Sequence, residues 1–335
     1  MYQDQPEEQL QEENYHSIDN DTKPKILLMG PPRSGKSSIL MVIFEKRDQL
    51  ETVYLQPTTD IVEYTMYGGI EVYDLPGISY EHDYQFIDLN LFLGENTVIV
   101  FVIDTQDDIQ KSLHYLYSSM DLIFSIQPNT QFNIFLHKID GLSEELRQDI
   151  NQEIQHRIFS HMDYEGYDNS LVQFYLTSIY NKSIYEAMSR VSHKLVPNVS
   201  TLENILTSFC YKSNLDKAYL FDMDSKLFIA TDSFPFASQY HQFCCSTIGL
   251  MEDLTTMYSE YQLNQSGEVF SHQVATIHLD ANYSIFTFQV NKRLMLICMV
   301  RDNISKNLSL LEFNAKKVSL SLKKVLNFPD SSTKD

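Results

Sequence analysis

One octapeptide limits the fold more than any other part of the chain. Gly30-Pro31-Pro32-Arg33-Ser34-Gly35-Lys36-Ser37 matches G-x-x-x-x-G-K-[ST]. It stands between a strand-like run, Lys25-Ile26-Leu27-Leu28-Met29, and an amphipathic segment that predicts a helix from about Lys36 to Lys46. Strand, glycine turn and helix in that order aim backbone N–H groups and the positive end of a helix dipole at one point, where a phosphate is held. Lys36 is then placed to reach β/γ-phosphates and the Ser37 hydroxyl to hold Mg²⁺. Pro31 and Pro32 have no N–H to give, so the cradle rests on the amides of residues 33–37.

The rest of the first half keeps the same rhythm. Strands are expected at 61–67, 70–75, 97–103, 132–137 and 172–177, with helical stretches near 82–92, 107–125, 143–160 and 181–195. The clearest helix has Leu146, Ile150, Ile154 and Ile158 at four-residue spacing, with Ser143 as N-cap. Alternating strands and helices imply βαβ crossovers and a mainly parallel sheet covered on both faces, an α/β architecture. Val196-Pro197-Asn198 interrupts the pattern. Beyond it come a helix near 201–212, strands at 217–223 and 226–231, and a long helix near 239–262. Strands near 269–279, 283–290 and 293–301 and a last helix over about 305–326 complete the chain. Three strands in succession with short connections cannot be parallel, so the second half reads as α+β with an antiparallel sheet. The expected organisation is an acidic disordered tail at 1–23, domains at 24–197 and 198–327, and a short tail at 328–335.

Charge narrows the function. The formal net charge of the 335-residue chain is −20, which argues against nucleic acid and against direct docking on anionic lipid. Seven acidic residues against Lys23 alone put −6 of this in residues 1–23. The apolar run 97–103 is far too short to span a bilayer, and the four cysteines follow no zinc or disulfide pattern. A reduced, cytosolic setting fits, with any membrane residence borrowed from other proteins. His241, His272 and His278 are scattered and read as packing or surface residues, and Cys244-Cys245 as core.

Three further motifs follow the phosphate loop at the right distances. Asp74-Leu75-Pro76-Gly77 ends a strand and matches the D-x-x-G of GTPases, in which the Asp helps hold Mg²⁺ and the Gly amide senses the γ-phosphate. His137-Lys138-Ile139-Asp140 follows a strand and is close to N-K-x-D, whose Asp accepts two hydrogen bonds from guanine that adenine cannot supply. Thr177-Ser178-Ile179 fits a last base-contacting loop. Four motifs in register on one α/β unit predict a GTPase domain, and Asp140 disfavours a P-loop ATPase or kinase.

From about residue 25 to its end the chain resembles a Rag GTPase of the C/D type. The resemblance rests on Gly-x-x-Arg-Ser-Gly-Lys-Ser-Ser at 30–38, Asp-x-Pro-Gly at 74–77, His-Lys-x-Asp-Gly-Leu-Ser at 137–143 and 174–180. In the second half it rests on Thr201-Leu202-Glu203-Asn204, 217–222 and 229–233. His137 in place of Asn marks the C/D branch. The resemblance implies a Ras-like G domain followed by a roadblock-type (longin-like) dimerisation domain, and GTP or GDP with Mg²⁺ as ligands. It implies nucleotide contacts by Arg33, Ser34, Gly35, Lys36, Ser37, Ser38, Thr58, Gly77, His137, Lys138, Asp140, Ser178 and Ile179. Mg²⁺ falls to Ser37, Thr58 and Asp74, the last through water, with Thr59 the rival of Thr58 in switch I.

The same resemblance implies a heterodimer with an A/B-type Rag, held peripherally on the lysosome or vacuole by a scaffold complex and reporting amino-acid supply to the TOR kinase complex. It puts GDP on the C/D member in the active state. The position after Gly77, where a Gln orients the attacking water, holds Ile78. An alkyl group cannot do this, so no catalytic residue is assigned, intrinsic hydrolysis is expected to be very slow, and an activating protein must assist. The rival reading is a pseudo-GTPase scaffold subunit that holds nucleotide without turnover.

Overall fold

The computed structural model describes residues 23–77, 89–235, 238–262, 274–279, 282–301 and 308–326. The acidic tail up to residue 22, Ile78 and most of the helix expected near 82–92 lie outside the described residues. Six strands form the first sheet: β1 (Lys25–Met29), β2 (Val62–Thr65), β3 (Glu71–Asp74), β4 (Thr97–Asp104), β5 (Gln131–His137) and β6 (Val172–Thr177). Their order is β2-β3-β1-β4-β5-β6. β1 runs parallel to β3 and β4, β4 to β5 and β5 to β6, whereas β2 and β3 are antiparallel. Connection length decides the difference. Residues 66–70, with Gly68 and Gly69 at positive φ, close β2 and β3 as a hairpin. Helices α2 (Ile109–Ile126) and α3 (Glu144–Glu165) instead make the crossovers from β4 to β5 and β5 to β6.

Both faces are covered, as the strand pattern predicts. Ile26 and Leu28 pack with Val98, Val100 and Val102 toward α1 (Lys36–Phe44) and α4 (Ser183–His193). Leu27 and Met29 pack with Ile99, Phe101 and Ile103 toward α2 and α3. Helix α3 starts where Ser143 accepts the Leu146 amide and ends at Gly166 in the left-handed region. Its expected stripe is corrected at one end. Ile154 and Ile158 are buried but Leu146 is 44% exposed. Each four-residue step overshoots a 3.6-residue turn by about 40°, so a strict four-residue series drifts off the core.

The second sheet holds β7 (Lys217–Asp222), β8 (Leu227–Thr231), β9 (Val274–His278), β10 (Tyr283–Gln289) and β11 (Leu294–Arg301) in the order β8-β7-β11-β10-β9. Every adjacent pair is antiparallel. Helices α5 (Val199–Ser213), α6 (Ser238–Gln262) and α7 (Leu308–Val325) accompany it. A buried ion pair fastens its first strand. Lys217 donates to Asp232 Oδ1 (3.1 Å) and to the carbonyl oxygens of Asp232 and Phe234 (3.2 and 2.7 Å). Asp232 accepts the amides of Ala218 (2.6 Å) and Phe234 (2.8 Å) in turn. One apolar cluster joins the two sheets, and the Phe228 amide at β8 donates to Ser189 Oγ on α4 (3.0 Å).

Five chain segments leave the first sheet at one end. The loops after β1, β3, β5 and β6 carry the four motifs, and the loop after β4 lies among them. In open parallel sheets this carboxyl end is where ligands bind.

Candidate functional site

The turn after β1 is built around a lysine with nowhere else to go. Lys36 is 5% exposed and its Nζ donates to the carbonyl oxygens of Gly30 (2.9 Å) and Pro31 (3.0 Å). Burial pushes its ammonium down to about 8, with the nearby Asp74 carboxylate opposing the shift. Gly35 caps α1 in the left-handed region, φ 107°. A Cβ there would meet His137 Cδ2 at 2.7 Å, so the position requires glycine on both counts. The Ser34 amide turns back to Pro31 O (3.4 Å). The first amides of α1, from Gly35 to Ser38, are those a helix leaves without internal partners. Arg33 lies exposed at φ 64°, while Ser34 Oγ is buried without a hydrogen-bond partner.

Three oxygen-bearing side chains converge beside the loop. The Ser37 hydroxyl donates to Asp74 Oδ2 (2.5 Å) and lies 2.6 Å from Thr58 Oγ1. Asp74 is buried, which raises its carboxyl above the usual range against the opposing pull of Ser37 and Lys36. Its Oδ1 is buried and has no hydrogen-bond partner. Thr59 points elsewhere, donating to Asp60 Oδ2 (3.1 Å). One carboxylate and two hydroxyls make an all-oxygen set, the kind that suits a hard divalent cation keeping part of its water shell. Mg²⁺ fits these residues, and the orphaned Asp74 oxygen is the atom it would satisfy. Gly77 closes on the loop so tightly that a Cβ would come within 2.6 Å of Pro32 Cα.

At the other end of the site the geometry divides the His137–Asp140 tetrad. His137 is buried, and burial pushes its imidazole down to about 3, leaving the ring neutral. Its Nδ1 pairs with Thr177 Oγ1 (3.0 Å), and the ring edge lies against Gly35. Lys138, at φ 63°, donates to Arg33 O (2.9 Å) and to Asp104 Oδ2 (2.5 Å), so it braces the phosphate loop from the side. Asp140 is exposed and accepts the Ser178 hydroxyl (2.5 Å), whose amide is fixed by Ser183 Oγ (2.9 Å). Ile179 is 8% exposed just beyond.

Sequence reading missed the loop after β4. Asp104 pairs with Lys138, and Thr105 donates from amide and hydroxyl to His137 O (3.0 and 2.8 Å). Gln106 Nε2 donates to Lys138 O (2.7 Å). The signal was present but positional: these residues end a central strand of a parallel sheet. Ile78 lies outside the described residues.

Comparison with known proteins follows the same lines. The profile of the Gtr1/RagA G protein conserved region matches residues 25–248. GTP-binding protein gtr2 of Schizosaccharomyces pombe is 37% identical over 90% of this chain and 98% of its own. Ras-related GTP-binding protein C of Homo sapiens is 34% identical over 88% of this chain and 74% of its own. Ras-related GTP-binding protein A of Dictyostelium discoideum reaches 24% over 88% and 96%.

Proposed function

This chain belongs to the Gtr1/RagA family of G proteins, and on that premise we propose that it is a switch whose guanine nucleotide decides which proteins bind it. It is a GTPase that binds GTP and GDP, of the C/D type, in a family whose C/D members pair with A/B members. The observation that carries the switch reading is the convergence of Ser37, Thr58 and Asp74 beside Lys36. Ser37 anchors the cation side of the phosphate loop, and Thr58 ties the 48–60 segment to it. Mg²⁺, when bound by Ser37, Thr58 and Asp74, draws charge from the phosphates. Loss of the γ-phosphate then frees Thr58 and the segment that carries it.

Residue roles follow. Amides of Gly35, Lys36, Ser37 and Ser38, with Arg33 and Ser34 on the loop rim, hold the phosphates, and the Gly77 amide faces the γ position. Asp140 accepts from guanine with Ser178 and Ile179 beside it, while His137 and Lys138 hold the loops together. Ile78 gives the attacking water no hydrogen-bond partner, so hydrolysis is slow without an activating protein. That residue also supports the second reading, a scaffold subunit that keeps its nucleotide.

The A/B-type partner is best accommodated by the second sheet, in a roadblock-type unit at 198–327 that follows a Ras-like unit at 24–197. On α6, Phe243, Leu250 and Met257 recur every seven residues beside Leu254, exposed by 46, 46, 70 and 36%. Among the described residues β9 is one of the sheet's two edge strands. An apolar helix face with an open edge suits helix pairing and strand addition together. Among the described residues no helix is long and apolar enough to cross a membrane. We place its residence at the lysosome or vacuole with a scaffold complex that brings the protein to the TOR kinase complex.

The test is the nucleotide content of the purified heterodimer, then single-turnover hydrolysis with and without the activating protein. Guanine nucleotide, hydrolysed slowly and accelerated by the activator, is expected. Bound adenine nucleotide sinks the base assignment, and absence of turnover under every condition selects the scaffold reading.

A further inference from the structure

Helix α7 buries one stripe and exposes another of mixed character. Leu311, Ala315, Ser319 and Leu322 are buried. On the other side Leu310, Phe313 and Leu320 are exposed by 59, 54 and 53%, and Lys317 and Lys324 are exposed with them. Positions 310, 313, 317, 320 and 324 advance by three and four residues, so they fall on one helix face. Apolar and cationic side chains therefore share a single line. Lys317 Nζ stands 4.4 Å from the Phe313 ring centroid, which keeps the ammonium on that line.

The positive charge of this helix exceeds the negative charge around it. α7 carries Lys316, Lys317, Lys323 and Lys324 against Glu312 alone, and Glu312 pairs with Lys316 (2.8 Å). Among the described residues Lys317, Lys323 and Lys324 make no ion pair. Helix α5 meets α7 where Asn314 donates to Ser213 Oγ (3.1 Å). It adds Lys212 and one carboxylate, Glu203, which faces His193 (3.3 Å). Asp216, just beyond α5, pairs with Arg301 (2.9 Å). Three unpaired ammonium groups thus stand on one helix of a chain whose net charge is −20.

The same chain holds the complement. Residues 1–22 carry seven carboxylates and no Lys or Arg, with Tyr2, Leu10, Tyr15 and Ile18 spaced among them. They join the fold at Lys23, which pairs with Glu71 (2.8 Å) at the start of β3. The β2–β3 hairpin beside it faces the second sheet, with the Tyr67 ring 5.8 Å from the Arg293 guanidinium. A Cβ on Gly68 of this hairpin would lie 3.7 Å from Pro197, and α5 runs from there toward α7. The 15 residues of α5 span about 22 Å, whereas 22 extended residues reach about 70 Å. We propose that the exposed line of α7 is the docking site of the chain's own segment 1–22. Lys317, Lys323 and Lys324 meet its carboxylates, and Leu310, Phe313 and Leu320 meet its spaced apolar side chains. Exposed ion pairs are weak one by one, but the tether holds the segment at about millimolar local concentration, so a few suffice. The docked segment closes this face to other acidic partners until one displaces it. None of these residues belongs to the nucleotide site or to the α6 face.

The test uses the full-length heterodimer and a carbodiimide, which joins a carboxylate to an amine only where the two touch. Peptide mass spectrometry should find residues 1–22 linked to Lys317, Lys323 or Lys324 at low salt, with the yield falling as salt is raised. The double variant Lys317→Glu/Lys324→Glu should lower the remaining link to Lys323 about tenfold, with GDP affinity and melting temperature unchanged because both positions are exposed. Adding Glu7→Lys/Glu8→Lys/Glu12→Lys/Glu13→Lys to that variant should restore links between the segment and α7 with the charges exchanged, a recovery that misfolding cannot imitate. Absence of links to α7, an unchanged yield in the double variant, or no recovery on charge exchange overturns the proposal. So do links from α7 to the partner chain in place of residues 1–22, which assign the face to the partner. Flotation of the heterodimer on phosphatidylserine vesicles through the α7 lysines assigns it to lipid and overturns the proposal equally.

Discussion

Lys36 makes nucleotide binding a proton-linked event. In the protein without nucleotide its ammonium is 5% exposed and held at about 8 by burial, against an ordinary value of 10.5. A phosphate seated against it supplies the missing anionic partner and returns the group at least to its ordinary range. Between about pH 8 and pH 10.5 the free protein has therefore lost a proton that the complex still carries, so binding takes one up. Affinity must fall as pH rises through this window. The fall follows 1 + 10^(pH − pKa), which with a free value of about 8 amounts to about tenfold between pH 7 and pH 9. For folding without nucleotide the sign is opposite. The unfolded chain keeps the Lys36 proton up to about pH 10.5, so stability rises with pH across the window. Below it, burial of the ammonium costs about 3 kcal/mol.

Equilibrium competition with a fluorescent GDP analogue across this range reads the slope directly, and calorimetry in two buffers of different ionisation enthalpy reads the proton. Lys36→Arg is the control, because a guanidinium stays charged throughout. Whatever its absolute affinity, that variant should show no slope from this source. A flat profile in the wild type, or an equal slope in Lys36→Arg, would refute the reasoning.

Three further outcomes are expected. Lys217→Met leaves the buried Asp232 carboxylate without its cation and should cost about 3–5 kcal/mol by chemical denaturation, with much of the loss restored by adding Asp232→Asn. Asp140→Ala removes the proposed acceptor for two guanine hydrogen bonds and should lower GDP affinity at least a hundredfold by the same fluorescence assay, leaving the melting temperature of the nucleotide-free protein nearly unchanged because Asp140 is exposed. Leu250→Asp with Met257→Asp charges the exposed face of α6. It should abolish heterodimer formation in size-exclusion chromatography while nucleotide affinity holds within about twofold, surface changes of this kind costing little stability.

The strand–turn–helix unit around Gly30 to Ser37 was legible because it depends on backbone. A strand, a glycine turn and a helix leave a composition that survives in one dimension, so Gly30 to Ser37 could be placed with their neighbours. The antiparallel second sheet was legible from connection length alone. Choices between adjacent residues were harder, because they depend on which way an irregular segment faces. Thr58 and Thr59 are chemically equal in sequence, yet one lies 2.6 Å from Ser37 and the other pairs with Asp60. Asp104, Thr105 and Gln106 carried no motif, since their role comes from where β4 ends and not from what surrounds them in the chain.

The tetrad shows why a motif can be right in place and different in division of labour. With an imidazole at position 137, pushed to neutrality by burial and committed through Nδ1 to Thr177, that side chain touches the phosphate loop by packing on Gly35. The polar brace passes to Lys138, whose ammonium reaches Arg33 O while Asp104 holds it in position. Lys138 stands two residues from Asp140, the proposed base reader, in sequence, but it reaches the phosphate loop in space. A change there loosens the loop that holds the phosphates as well as the loop that reads the base. On the proposed site assignment the two ends of the nucleotide are coupled through Asp104–Lys138–Arg33, and base recognition and phosphate grip should rise and fall together in this protein.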